Sequence, residues 1–205
     1  MIMVVIKMIT IFVIAYIIGS IPTGYLIVKA KKGIDIRETG SGSTGATNVK
    51  RILGTKWFFT VMILDALKGV IAVLIATKYF DLFEYTLRGL APVLAALGVI
   101  LGHSKSVFLK FTGGKSVATG VGTLIGLCWP VGLITAVIWG IITYTSKFVS
   151  LGSIIAITMA PILMRVFNQN EYYIWFTAIC AVYVIIMHKD NIVRLCQGKE
   201  NKVRK

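Results

Sequence analysis

Acidic side chains are scarce in this 205-residue chain: eight Asp and Glu stand against 22 Lys and Arg. Asp35, Asp65, Asp81 and Asp190 are scattered, whereas a metal-dependent phosphatase or alcohol phosphotransferase needs carboxylates gathered on an ion. Histidine is scarcer, with two residues, and Cys128, Cys180 and Cys196 form no CxxC and show no pairing logic. A zinc set and a disulfide framework are thereby excluded, and no metal or cofactor is expected. Polar stretches long enough for a soluble domain are missing too. The chain is 57% hydrophobic with a mean hydropathy of +0.84, against ~45–50% apolar residues in ordinary soluble domains.

What is present is a series of long apolar runs. Runs near 20 residues span a bilayer, so the chain reads as an all-α polytopic membrane protein, one integral-membrane domain over 1–205. Seven spans are expected at 3–28, 57–79, 89–104, 117–128, 130–146, 150–167 and 171–187, with the fourth and fifth short. Pro130 separates those two, because proline lacks the backbone donor a continuous helix requires. The first run has no small-residue cleavage pattern and reads as a retained helix. Charge sets the orientation. Seven Lys and Arg fall in 29–56, three in 105–116, one at Lys147 and six in 188–205, so 17 of the 22 share one side under seven spans. The positive-inside rule then places the N-terminus outside and the C-terminus in the cytoplasm. The net charge of +14 is accounted for by this rule and by attraction to anionic lipid and substrates, not by nucleic acid.

The polar clusters gather on the same side. GSGSTGATNVKR, Gly40 to Arg51, combines bare backbone N–H groups, hydroxyls and fixed positive charge, the chemistry that holds a phosphate. Gly40, Gly42 and Gly45 also fit GxGxxG with Asp65 twenty residues on, but no strand precedes them and Asp65 lies inside an apolar run, so a dinucleotide fold is excluded. Gly113-Gly114-Lys115-Ser116 opens the fourth span as a second anion site. It is not a Walker motif, because Leu109 stands where the first glycine belongs. Asp65 and Lys68, at i and i+3, are expected to pair inside the bundle. His188, Asn191 and Arg194 share a helix face, as do Ser150 and Ser153. Gly98-x-x-x-Gly102 and Gly122-x-x-x-Gly126 fit close helix packing in lipid.

Taken together, SGSTGATNVKR (41–51), DALKG (65–69), GH (102–103) followed by VFLKFTGGKSVATG (107–120), SLGS (150–153) and HKDNIVRLCQGKE (188–200) resemble the bacterial acyl-phosphate:glycerol-3-phosphate acyltransferase family, PlsY. The resemblance implies a seven-helix enzyme of the bacterial inner membrane with its site facing the cytoplasm. It would move a fatty acyl group from acyl phosphate to the 1-hydroxyl of glycerol 3-phosphate, giving lysophosphatidic acid and phosphate at the start of phospholipid synthesis. Membrane lipid is its surroundings, and the soluble enzyme that makes acyl phosphate is a candidate partner. The resemblance assigns Ser41, Asn48, Arg51, Lys115, Ser153, His188 and Asn191 to the site, shaped by Gly42, Gly45, Gly113 and Gly114. His188, Asn191, Ser153 and Lys115 are the candidate catalytic set, with the Asp65–Lys68 pair in support. Three positions depart from the family pattern: Ser43 replaces an asparagine, Lys105 an aromatic residue and Ser116 a glycine.

The bottom-up reading fits that implication. Neither His103 nor His188 is followed by an acid five residues on, so the His-x4-Asp pair of thioester-using acyltransferases is absent. Acyl phosphate is already activated, and alignment with charge stabilisation suffices. The proton acceptor stays open between His188 and a substrate phosphate; no carboxylate is expected near enough to serve. The alternative, an anion transporter, needs repeated halves and broken helices at mid-membrane, and the chain shows neither.

Overall fold

The computed structural model describes residues 2–81 and 89–203. Of the charges counted above, those of Asp81, Glu84, Arg88, Arg204 and Lys205 lie outside the described side chains. Ten α-helices carry the described residues: α1 (Ile2–Ser20), α2 (Thr23–Lys32), α3 (Ala46–Leu53), α4 (Thr55–Asp81), α5 (Leu90–Ser104), α6 (Val117–Leu127), α7 (Trp129–Ser146), α8 (Val149–Val166), α9 (Glu171–Met187) and α10 (Lys189–Cys196). By length and composition, four stretches can cross a bilayer: Ile2–Lys32, Thr55–Tyr79, Trp129–Ser146 and Val149–Val166. A fifth is added if α9 and α10, bent by 61°, count as one. α5 and α6, with 15 and 11 residues, fall under the ~20 that a full crossing takes.

Two prolines set the breaks. Pro130 lies in the first turn of α7, where a missing N–H costs nothing, and the chain turns at Cys128 as expected. The first run differs from expectation. It is not one helix over 3–28 but α1 and α2, divided at Ile21-Pro22, since proline cannot donate into α1 and disfavours helix in the residue before it.

Glycine decides how closely the helices meet. A Cβ on Gly98 or Gly102 would strike the backbone of α1 at Phe12 and Tyr16, and one on Gly122 or Gly126 would strike α4 at Ala66 and Val73. The two small-residue motifs therefore draw α5 against α1 and α6 against α4 in parallel pairs. Apolar clusters fill the joins. Ile11, Ala72, Ala95 and Val99 tie α1, α4 and α5, and Leu124, Val131, Ile157 and Val184 tie α6 to α9. A separate small core of Val28, Ile36, Val49 and Val61 lies under the 33–45 connection and α3. That segment is folded, not a loose tether.

Candidate active site

Asn48 organises the first polar segment. Its side chain is buried; Nδ2 donates to the carbonyls of Ile36 (3.2 Å), Thr39 (3.0 Å) and Ser43 (3.0 Å), while Oδ1 accepts from the Ser41 N–H (3.1 Å). One amide thus satisfies the turn that the glycines bend, with Gly40 and Gly42 at φ +62 and +68, a region open mainly to glycine. Sequence reasoning expected Asn48 among the phosphate ligands. The structure gives it the turn instead, its donors already committed. Gly45 is the N-cap of α3 with φ −76, and a Cβ there would meet only the Ser43 hydroxyl, at 3.6 Å. The Ser41 side chain and the Arg51 guanidinium remain exposed at the mouth of this turn.

Gly113 and Gly114 fold back on the end of α5. The Gly114 N–H donates to the His103 carbonyl (3.1 Å). A Cβ on Gly113 would overlap that carbonyl, and one on Gly114 would overlap His103 Nε2. Ser116, the departure from the family's glycine, holds a left-handed φ of 59, and its hydroxyl donates to the Ile100 carbonyl (2.9 Å). The hydrogen bond offsets a conformation that glycine would take without strain. This fold sends Lys115 across to α10, where its Nζ donates to Asn191 Oδ1.

α9 ends at His188 and α10 leaves at 61°, laying Asn191 and Arg194 over the site. His188 is buried, with Nδ1 2.8 Å from the Val184 carbonyl. A carbonyl only accepts, so Nδ1 carries the proton, and a neutral ring leaves Nε2 as a lone-pair acceptor. Ser153 is buried and donates to Val149 on its own helix (2.8 Å); no hydrogen bond joins it to Lys115 or Asn191 among the described residues.

Glu200 is the residue that sequence reasoning missed. Its carboxylate accepts from Ser150 Oγ (3.0 Å), Asn191 Nδ2 (2.7 Å) and Arg194 Nε (2.8 Å). A carboxylate does therefore stand among the motifs, engaged by three donors. Burial works to raise its pKa, but the hydrogen bonds from Asn191, Arg194 and Ser150 prevail and hold it below the ordinary value. So held, it is a poor proton acceptor. Lys115 has the opposite difficulty. Burial lowers its pKa first, then the charge of Arg194, with Arg51 adding to the effect and Glu200 and Asp190 opposing it. Arg51 and Arg194 thus both act on the charge of Lys115, and an anion beside Lys115 would relieve that opposition.

Beyond Ser116 a narrow apolar cleft runs between α5, α6, α8 and α9, from Ile100 and Val184 down to Leu124, Ala160 and Phe176. Eight residues of α6 between Ser116 and Leu124 give it about 12 Å of length along the helix axis. Lys115 therefore adjoins an apolar slot through Ser116. Asp65 and Lys68 stand apart from both, paired at 2.9 Å inside the bundle. No group of three metal-ligating side chains occurs among the described residues.

Residues 9–198 match the family model described as glycerol-3-phosphate acyltransferase. The glycerol-3-phosphate acyltransferase of Trichormus variabilis is 46% identical over 93% of this chain and 89% of its own, and that of Desulforamulus reducens is 43% identical over 92% of each. Crystal structures of PlsY, an integral membrane glycerol 3-phosphate acyltransferase, superpose with TM-scores of 0.88 in the glycerol 3-phosphate form and 0.86 in the lysophosphatidic acid form. The first is 36% identical and covers 96% of both chains; the second is 35% identical and covers 96% of this chain and 95% of its own. On sequence and fold alike, this integral membrane protein belongs to the glycerol-3-phosphate acyltransferase family, PlsY.

Proposed function

We propose that the chain transfers a fatty acyl group from acyl phosphate to the 1-hydroxyl of glycerol 3-phosphate, releasing lysophosphatidic acid and inorganic phosphate. This is the opening step of phospholipid synthesis, carried out at the cytoplasmic side of the bacterial inner membrane. The observation that carries the reading is Lys115, half-buried with Arg51 and Arg194 acting on its charge, next in sequence to Ser116, which lines an apolar slot. Two phosphates need the cations and one fatty chain needs the slot. The whole chain acts as one membrane domain crossing seven times, N-terminus outside, with α5, α6 and α9 tilted or locally thinning the bilayer. The soluble enzyme that makes acyl phosphate delivers its product to the same side.

In the reaction, the glycerol 1-hydroxyl oxygen attacks the acyl carbonyl and the bond from that carbon to the phosphate oxygen breaks. The electron pair leaves with phosphate, whose developing charge Lys115 and Arg51 stabilise. Ser41, Ser153 and Asn191 orient the acceptor, Gly42 and Gly45 keep the first turn open to it, and the hydroxyl proton passes to a substrate phosphate oxygen. His188 Nε2 is the other acceptor within the site. A histidine base must be deprotonated, so it would produce the acidic limb of the pH–rate profile. His188→Gln is expected to keep that limb with a lower kcat; loss of the limb assigns the proton to His188.

Purified protein in lipid mesophase, given acyl phosphate and glycerol 3-phosphate without metal or thioester, is expected to release phosphate. Turnover with acyl-CoA and none with acyl phosphate would overturn the donor assignment. The slot has its own test. Ala160→Phe fills its inner end, and it is expected to lower the long-chain to short-chain preference in kcat/KM by about tenfold. An unchanged ratio places the chain elsewhere.

A further inference from the structure

A buried polar cluster lies one layer beneath the site. Asp65 and Lys68 on α4 and His103 at the end of α5 are all buried. Asp65 Oδ1 accepts from Thr23 Oγ1 at 2.8 Å and pairs with Lys68 Nζ at 2.9 Å; His103 Nδ1 lies 3.7 Å away. Lys68 Nζ also donates to the Ile21 carbonyl at 3.3 Å, beside the break that Pro22 imposes. The cluster therefore joins the α1–α2 break, the middle of α4 and the last turn of α5.

From this joint two chain segments run to the site. α2 leads through the Val28–Ile36–Val49–Val61 core to the turn beneath Arg51. His103 leads directly to Lys115, because Gly113 and Gly114 wrap its carbonyl and its Nε2 edge so closely that neither has room for a Cβ. Any tilt of the His103 ring is passed to the residue before Lys115. We propose that the Thr23–Asp65–Lys68–His103 cluster is a positioning device that sets the Gly113–Lys115 turn, through the His103 ring, at the height acyl transfer requires.

Energetics favour this over a stabilising role. A buried ion pair seldom outweighs the cost of desolvating both charges, and well-packed apolar residues commonly replace one without loss of stability. What an apolar pair lacks is direction. Asp65 fixes Thr23 and Lys68 at set angles and keeps its carboxylate 3.7 Å from the His103 ring, and catalysis is sensitive to small displacements of a charge-stabilising group.

The inference rests on the acyl-transfer reading and is tested with the full chain in lipid. Asp65→Asn/Lys68→Met removes both charges together, leaving neither unpaired. Expected are an unchanged Tm and a kcat/KM at least about tenfold lower. Gly114→Ala, which pushes the same turn from the other side, is expected to lower kcat/KM similarly. Combining the variants should cost far less than the product of their separate effects, because both displace one turn. Wild-type kinetics in the pair variant, or effects that simply multiply, would overturn the inference. If the pair variant loses Tm, His103→Gln carries the same cycle with the ion pair intact. Absence of turnover by the wild-type protein with acyl phosphate defeats the acyl-transfer reading instead, so the two failures are distinguishable.

Discussion

Lys115→Met is expected to lower kcat/KM for acyl transfer by about 10³-fold, near the upper end for removing one charge-stabilising donor. Lys115 is half-buried and its charge is opposed by burial and by Arg194 and Arg51. An ammonium held where its charged form is disfavoured gains more from an incoming phosphate than one in water. Methionine keeps the stem volume and removes only the ammonium, so the packing between the Gly113–Gly114 turn and α10 persists. The measurement is phosphate release across a range of glycerol 3-phosphate and acyl phosphate concentrations, with Tm as the control for folding. Lys115→Arg should not rescue, because the planar guanidinium neither fits beside Asn191 Oδ1 nor presents charge at the same point. Activity above about a tenth of wild type would transfer the main phosphate contact to Arg51 or Arg194.

The features that sequence revealed were those with a local period or a local breaker. Pro130 ends one helix and starts another within a few residues, and that break stands at Cys128. Spacings of four placed Gly98, Gly102, Gly122 and Gly126 on contact faces. Spacings of three placed Asp65 with Lys68, and Asn191 with Arg194. Pro22 carried the same signal as Pro130, but it sits in a run so apolar that hydropathy masked it. Asn48 shows a different difficulty. Among glycines, serines and an arginine it has the composition of a ligand, and only the folded turn shows that its amide is consumed by three carbonyls and one N–H. Glu200 was illegible for a further reason. Its partners Ser150 and Arg194 lie 50 and six residues away, and the tail returns to them with the Val203 N–H donating to the Lys147 carbonyl at 2.8 Å. No periodic rule reports such a return.

Glu200→Ala is the complementary prediction, acting on the frame and not on the charge that meets substrate. The glutamate side chain is 6% exposed and takes hydrogen bonds from three donors on two helices, α8 and α10, so its loss leaves the Arg194 guanidinium, the Asn191 amide and the Ser150 hydroxyl short of an acceptor. Removal should cost roughly 3 kcal/mol of stability, the scale for hydrogen bonds to a charged group in a buried setting, and it should free Asn191 from the Lys115 contact it helps to aim. The pH dependence has a definite sign. Because the folded carboxyl titrates below its ordinary value of 4.5, its stabilising effect is complete above the unfolded pKa and is lost as pH falls through the folded one. Glu200→Gln removes the charge while keeping the shape. The Tm gap between wild type and this variant should therefore be flat above the carboxylate range and close as pH falls below it. A gap that stays constant into acid would mean that shape, not the carboxylate, holds the tail over the site.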